Sequence, residues 1–471
     1  MKFNFWRNVS FFATAVLIAG CQSYEPVPLD IGSYRSALET RLIDIEPVIA
    51  FANRIAITDE IPLEFDSTDG ISPSEGEVIA LFYNPQLRIA RLEAGVALAN
   101  YETAGLWKDP VFGFNGAEIS SPSAPFQFNL MGNITIPISG RLKVEKAKAG
   151  TKYEAQLRKL VDDEWNLRST LRSQWAAWTS ATMQIQLINE VIEQLERINK
   201  IAAILFEAGE INRIEHRLLQ VELASNKVQA TEAKLHLLET EISLLGTMGL
   251  APENSSLLRA EFPLIASTTV EDETARIIVA NTELAIQFAN YETAEESLRL
   301  EIKKQYPDIV IGSGYGSEFN DHRVLFGLTI PLSIWNRNQA GIAHARTQRE
   351  VARAEAETTF ARLFRELTLA NTTLLLRQTQ RSYFEDEIVP VLAQQTSDIE
   401  RIVELGEVDT FILLETVTRQ YRAKSRLLDL QVAEIEASIT VHRILGPDYP
   451  LNPTPAHREL ITTEDTLGGV Q

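Results

Sequence analysis

From Arg141 to Phe206 the sequence contains no proline, and Gly150 is its only glycine. Residues 157, 164, 171, 178, 185 and 192, with 160, 167, 174, 181, 188, 195 and 202, are all apolar or Ala except Glu164 and Gln174. Apolar side chains repeating on this heptad pattern make a coiled-coil seam, so the segment is predicted to be one helix packed lengthwise against others. At 1.5 Å per residue it would reach about 100 Å, a rod for which a compact globule has no use. The run Glu207-Ala208-Gly209-Glu210-Ile211-Asn212 ends it. Gly209 can take the left-handed conformation of a helix C-terminus, and Asn212 can cap a returning helix with Glu215 three residues on. The returning helix should stop near Leu245, before Gly249 and Pro252.

Ahead of the rod the period changes from helical to two. Phe126, Phe128, Leu130, Ile134, Ile136 and Ile138 alternate with Gln127, Asn129, Asn133, Thr135 and Ser139, the pattern of a strand with one apolar and one mostly polar face. A first strand is expected near Val111–Ile119, after Asp109-Pro110 breaks a helix that starts at the capping box Ser72-Pro73-Ser74-Glu75 and runs to about Trp107. A shorter helix is expected around Tyr34–Ile55.

The same order then recurs. Ala99-Asn100-Tyr101-Glu102-Thr103-Ala104 returns letter for letter as Ala289-Asn290-Tyr291-Glu292-Thr293-Ala294. Asn84-Pro85-Gln86-Leu87 answers to Asn281-Thr282-Glu283-Leu284, and Asp109 to Asp308. The turn at Glu207–Ile211 answers to Glu404-Leu405-Gly406-Glu407-Val408, and Leu245-Gly246 to Leu445-Gly446. A second amphipathic strand is expected over Val324–Ile334. Such offsets mark an internal duplication, each half reading helix, strand, strand, very long helix, tight turn, helix. The expected organisation is a signal peptide 1–20, an N-terminal segment 21–70, a first repeat 71–250, a linker 251–267, a second repeat 268–446 and a tail 447–471.

The first twenty residues read as a processing signal. Lys2 and Arg7 precede the short apolar run Val9–Ile18, too short to span a bilayer as a helix. Leu17-Ile18-Ala19-Gly20-Cys21 resembles the lipobox of bacterial lipoproteins, which would make Cys21 the lipidated first residue, with Gln22 and Ser23 implying export to the outer membrane. Cys21 is the only cysteine, which excludes an intrachain disulfide. No later run of 18 apolar residues occurs, so a chain that crosses a membrane must do so as a closed barrel. The net charge of −20 argues against binding nucleic acid through phosphates and suits passage of, or tolerance for, cations. Four strands per chain cannot close a barrel, since single-chain barrels begin at about eight, so several copies must pool their strands.

The duplicated halves, the two Gly-Glu helix turns and the segment Pro331-Leu332-Ser333-Ile334-Trp335-Asn336-Arg337-Asn338-Gln339-Ala340-Gly341-Ile342-Ala343 resemble the outer membrane efflux protein family, the TolC-like channels, over about Ser72–Gly446. The lipobox fits the lipoprotein branch. The resemblance implies a mainly α fold with a membrane β-barrel portion: a homotrimer whose twelve pooled strands form one outer-membrane barrel and whose long helices form a periplasmic α-barrel with a closable tip. It implies a passive exit duct for a tripartite pump, joined through a periplasmic adaptor to an inner-membrane transporter. The Trp335–Gln339 segment is reminiscent of the branch paired with heavy-metal cation pumps, against drug efflux as the other choice; the first half has Ser139-Gly140-Arg141-Leu142 in its place.

By the same resemblance the turns lie at the periplasmic tip. Three copies would set Glu207, Glu210, Glu404, Glu407 and Asp409 in rings around a constriction, with Gly209 and Gly406 in the same turns, for docking the adaptor and gating. The plainer reading of these acids is a solvated hairpin end. Gly312-Ser313-Gly314-Tyr315-Gly316 is followed by a strand and not by the helix that a phosphate-binding loop needs. Trp165, Trp175 and Trp178 lie on or beside the seam and read as packing. The histidines have no partners at catalytic spacing, and His, Met and Cys show no ligand spacing, so neither an enzyme, a cofactor nor a metal site is expected. A lipid-anchored periplasmic coiled-coil adaptor is the alternative, but adaptors lack two amphipathic strand pairs between long helices.

Overall fold

The computed structural model describes residues 24–41, 46–56, 70–118, 126–265, 272–318, 321–404 and 409–448. Two short helices, α1 (Ile31–Thr40) and α2 (Glu46–Ala56), stand where one was expected, with Pro47 in the first turn of the second. Ser72 caps α3 (Pro73–Tyr83) through the expected box: its hydroxyl accepts from the Glu75 N–H at 3.4 Å, and the Glu75 carboxylate accepts from the Ser72 N–H at 2.8 Å.

The helix expected to continue to Trp107 breaks at Asn84, and α4 (Pro85–Thr103) starts anew. Pro85 lacks an N–H and forces the preceding residue out of the helical region; Asn84 has ψ 125°. In the second half α7 (Glu273–Ala280) and α8 (Thr282–Lys303) are broken in the same way at Asn281, with no proline present. The asparagine side chains hold both breaks. Asn84 Oδ1 accepts from the Gln86 and Leu87 N–H groups at 2.9 and 3.0 Å while its Nδ2 donates to the Thr247 carbonyl at 2.8 Å. Asn281 Oδ1 accepts from the Leu284 N–H at 2.8 Å, and its Nδ2 donates to the Ile444 carbonyl at 2.8 Å. Each returning helix ends beside its joint on a glycine with positive φ, where a Cβ would sit 2.4 Å from the Tyr83 carbonyl (Gly249) or 1.9 Å from the Ala280 carbonyl (Gly446).

The rod is α5 (Arg141–Ala208), 68 residues, followed by α6 (Arg213–Met248) and a short 3₁₀ turn at Pro252–Leu257. Its seam is buried at Leu157, Leu160, Leu171, Trp178, Ala181, Ile188, Leu195 and Ala202. Of the two polar exceptions, Glu164 is buried and meets Arg91 at 3.3 Å, which also donates to the Leu81 carbonyl at 2.7 Å. A buried carboxylate is tolerable only with such a partner. Gln174 donates to Ser243 of α6 at 3.1 Å. The tryptophans pack: Trp175 and Trp178 meet edge-on at 6.0 Å, and the indoles of Trp165 and Trp175 donate to the Arg443 and Arg259 carbonyls.

The strands are β1 (Val111–Ala117), β2 (Gln127–Ile136), β3 (Ile309–Glu318) and β4 (Asp321–Thr329), one antiparallel sheet in sequence order. β4 stops at Thr329, short of the expected Ile334, ahead of Pro331, which cannot donate to a ladder. Arg337 and Asn338 then take positive φ, and the Asn338 amide donates to the Glu301 carbonyl and carboxylate at 2.8 and 2.7 Å, fastening the turn to the end of α8. The second long helical stretch is α9 (Gln339–Tyr383), a π-helical turn at Phe384–Ile388 and α10 (Val389–Glu404). The π turn takes up the defect left by Pro390, which has no N–H to give. The chain returns in α11 (Thr410–Leu445).

Helix α5 packs against α4 on one side and α8 on the other, and α8 packs against α9. Each strand therefore runs on into a helix of the same lateral order: β1 from α4, β2 into α5, β3 from α8 and β4 into α9. Arg141, at the head of α5, clamps the start of β3 with a two-pronged pair to Asp308 at 3.1 and 2.9 Å.

Candidate channel wall and hairpin tips

The register sorts the sheet into two faces. Phe112 and Phe114 of β1 align with Gly132 and Leu130 of β2, Leu130 and Ile134 with Tyr315 and Ile311 of β3, and these with Val324 and Leu328 of β4. One face is thus aromatic and aliphatic across all four strands, and it is bare: Phe112 is 72% and Phe326 85% exposed. The opposite face carries Asn115, Gln127, Asn129, Asn133, Thr135 and Thr329, with Gly312, Gly314 and Gly316 aligned beside them. The glycine-rich run lies within β3 and leads into β4. Strands β1 and β4 are the sheet's edges within this chain.

Below the sheet the helical layer also has two unlike faces. On one, Glu77 of α3 takes Arg172, and Thr179 and Trp175 donate to carbonyls of the segment after the 3₁₀ turn. Helices α2 and α3 and the end of α6 pack there with Leu160, Leu171, Trp175 and Trp178. Among the described residues the other face of α5 has no such cover. Between α4 and α8 it borders an open cavity of about 830 Å³ lined by Asn100, Glu145, Lys148, Lys152, Lys159 and Asn290 among others. Burial holds the Lys148 ammonium below the usual lysine range, with Lys152 and Lys304 adding like-charge repulsion.

At the far end of α5, Gly209 has φ 76°; its N–H reaches the Phe206 carbonyl at 3.0 Å and the Glu210 N–H reaches Leu205 at 2.9 Å, closing the helix. Asn212 caps α6 by accepting from Ile214 and Glu215 N–H groups at 2.8 and 3.0 Å, and Glu215 accepts from the Asn212 N–H at 3.2 Å. Asp409 caps α11 in the same way, accepting from Phe411 and Ile412 at 2.9 and 3.2 Å. Leu413, Leu414, Val417 and Tyr421 of α11 pack on the cluster of Val191, Leu195, Ile198, Ala202 and Leu219, so α11 begins beside the first hairpin's end.

Glu207 and Glu210 are exposed at that end, and among the described residues neither forms an ion pair. Glu404 closes α10; Gly406, Glu407 and the lipobox Cys21 lie outside the described residues. The Arg141–Asp308 clamp, the asparagine joints and the lysine cavity were not singled out from sequence as site features; only the basic run after Arg141 and the repeated Asn100 and Asn290 hinted at the last. Among the described residues there is no metal-ligand cluster, and no helix is long and apolar enough to cross a membrane.

The profile of the family described as "Outer membrane efflux protein" matches residues 275–447. The cobalt-zinc-cadmium resistance protein CzcC of Cupriavidus metallidurans is 21% identical over 316 residues, covering 67% of this chain and 76% of that protein. Among solved structures, CusC, described for its folding and transmembrane channel formation, superimposes with a TM-score of 0.69 at 16% identity, over 83% of this chain and 96% of its own. The outer-membrane channel OprN does so with a TM-score of 0.70 at 13% identity, over 91% and 98%. The family profile lies on the second repeat and the fold of the solved channels spans both, so the chain has the fold of these outer-membrane channels and its second repeat matches the outer membrane efflux protein family.

Proposed function

We propose that this chain is the outer-membrane exit duct of a tripartite efflux pump, working as a homotrimer that passively conducts substrate handed to it by a periplasmic adaptor and an inner-membrane transporter. The observation that carries this reading is the sheet, mostly apolar and bare on one face, with two edges unpaired among the described residues and a helix continuing every strand. Such a sheet is unstable alone in water and becomes a wall when copies pair edge to edge, the apolar face toward lipid. Three copies give twelve strands. A second feature supports association: α6 exposes Ile214, Val221, Val228, Leu235 and Ile242, seven residues apart, a coiled-coil stripe left uncovered among the described residues.

Heavy-metal cations, as in the name of CzcC, and drugs are the two substrate classes this duct would serve. In the same reading Cys21 carries the lipid, and the hairpin ends at Glu207–Glu210 and Glu404–Asp409 dock the adaptor, with the carboxylates gating. The test is to size the detergent-purified protein and record single channels in planar bilayers; a monomer without conductance refutes the duct. Cys21→Ala should abolish metabolic palmitate labelling, and normal labelling would remove the lipoprotein assignment.

A further inference from the structure

The charge of −20 is not spread evenly. Between Arg141 and Lys159 there are seven Lys or Arg and two Glu. Lys148, Lys152 and Lys159 fall on one side of α5 and line the cavity between α4 and α8. The exactly repeated hexapeptides meet there too: Asn100 of α4 and Asn290 of α8 line it from opposite sides.

The nearby acids are already engaged. Glu145 takes Arg141 at 2.6 Å, and Glu93 faces Lys159 at 3.5 Å. Glu301 accepts from Lys304 at 2.6 Å and from Asn338. Among the described residues neither Lys148 nor Lys152 has a carboxylate partner within salt-bridge distance. Two ammonium groups with no carboxylate at salt-bridge distance, Lys148 also in the field of Glu301, thus converge with two amides on one opening that Glu145 borders as well.

The cavity also lies on a definite side of the wall. At 3.6 residues per turn, Lys152 is roughly 180° around α5 from Thr179, which bonds the segment after the 3₁₀ turn. The covering helices occupy that opposite face. A tube built from this layer has room for them only outside its bore, so the lysines face inward.

We propose that this cavity is an oxyanion-binding station in the bore, taking phosphate- or carboxylate-bearing solutes on Lys148 and Lys152 with Asn100 and Asn290 as neutral donors. The inward placement rests on the duct reading; the binding site does not. A lipid headgroup is the other source of a phosphate, but the site starts about 10 Å along α5 from its head and faces away from the exterior.

The test uses tripolyphosphate as probe, titrated calorimetrically into the detergent-purified full chain. Charge-assisted bonds to two lysines should make binding of the Lys148→Gln/Lys152→Gln variant about tenfold weaker or more. The Lys148→Arg/Lys152→Arg variant should retain it, and helical circular dichroism confirms that each folds. Equal binding by wild type and the Gln variant overturns the proposal, as does phospholipid retained by wild type alone with no tripolyphosphate uptake. In planar bilayers tripolyphosphate should block wild-type current and spare the Gln variant. Variant-sensitive binding by a protein that never conducts removes the duct and keeps the site; conduction with variant-insensitive binding does the reverse.

Discussion

Replacing Asn281 tests whether one side chain makes the break between α7 and α8. The amide is 3% exposed and does two things at once: it caps α8 through Leu284 and ties the end of α11 through the Ile444 carbonyl. Asn281→Ala removes a cap, about 1 kcal/mol, and strands a buried carbonyl, about 1–3 kcal/mol, so a loss of about 2–4 kcal/mol is expected. Asn281→Asp separates the two parts, since a carboxylate still accepts from Leu284 but cannot donate to Ile444. It should keep the cap and lose about 1–3 kcal/mol. The first half supplies the control. Asn84 makes the same cap and carbonyl tie, with one further acceptance from the Gln86 N–H, but Pro85 independently keeps residue 84 extended, so Asn84→Ala leaves the break in place. At Asn281 only Thr282 follows, and the Ala variant is free to fuse α7 with α8. Denaturant unfolding in detergent, followed by helical circular dichroism, should therefore rank Asn281→Ala below Asn84→Ala. An Asn281→Asp protein as stable as wild type would refute the bridging role.

Three further outcomes are expected. Phe326→Lys puts a charge on the apolar sheet face and should cost about 2–4 kcal/mol if that residue sits near the bilayer middle, seen as lost outer-membrane oligomer on gels; Thr329→Lys, on the polar face, should assemble normally. Gly209→Val meets no atom within 4 Å of its Cβ, so its cost is the left-handed backbone alone, about 1–2 kcal/mol; adaptor crosslinking at the tip should fall, and unchanged crosslinking would count against docking there. Asp162, whose carboxylate accepts from Thr282 and Asn166, is pushed above the usual carboxylate range, mainly by burial. The folded chain thus favours the protonated acid, and that contribution is lost as pH rises through the raised value. Asp162→Asn should gain on wild type as pH rises from about 4, the ordinary aspartate value, through the raised one, and a difference that does not change with pH would dismiss burial as the cause.

What was legible in the sequence was periodic or local. The heptads of α5, the alternation in β2 and the cap at Asn212 each involve residues within a few positions of one another, and local geometry settles them. The break at Asn84 has a visible proline, but the apolar pattern continues across it and masks the joint. The break at Asn281 has no such punctuation; its cause is a carbonyl 163 residues away. The same distance hid the Arg141–Asp308 clamp, 167 residues apart, and the β2–β3 pairing that joins the two repeats into one sheet. The net charge is strongly acidic, whereas the stretch of α5 that borders the cavity is locally basic. Net charge sums over a surface and cannot say which side of a wall a lysine faces.

The position of that basic cavity follows from the junction between sheet and helices. Neighbouring strands lie about 4.8 Å apart, whereas packed helices need about 8–10 Å. Four helices that continue four strands in the same order must therefore fan out as they leave the sheet. Where α4 and α8 diverge on either side of α5, the wall cannot be close-packed on both faces. One face is filled by α2, α3 and the linker. The opposite face keeps its gap, bordered by the repeated Asn100 and Asn290 and by Lys148 and Lys152. An open gap of this kind is wide for a filter that strips a single ion of its water, and it suits a solute with several anionic oxygens that can reach more than one lysine at a time. That is why a multivalent oxyanion, and not chloride, is the probe that discriminates.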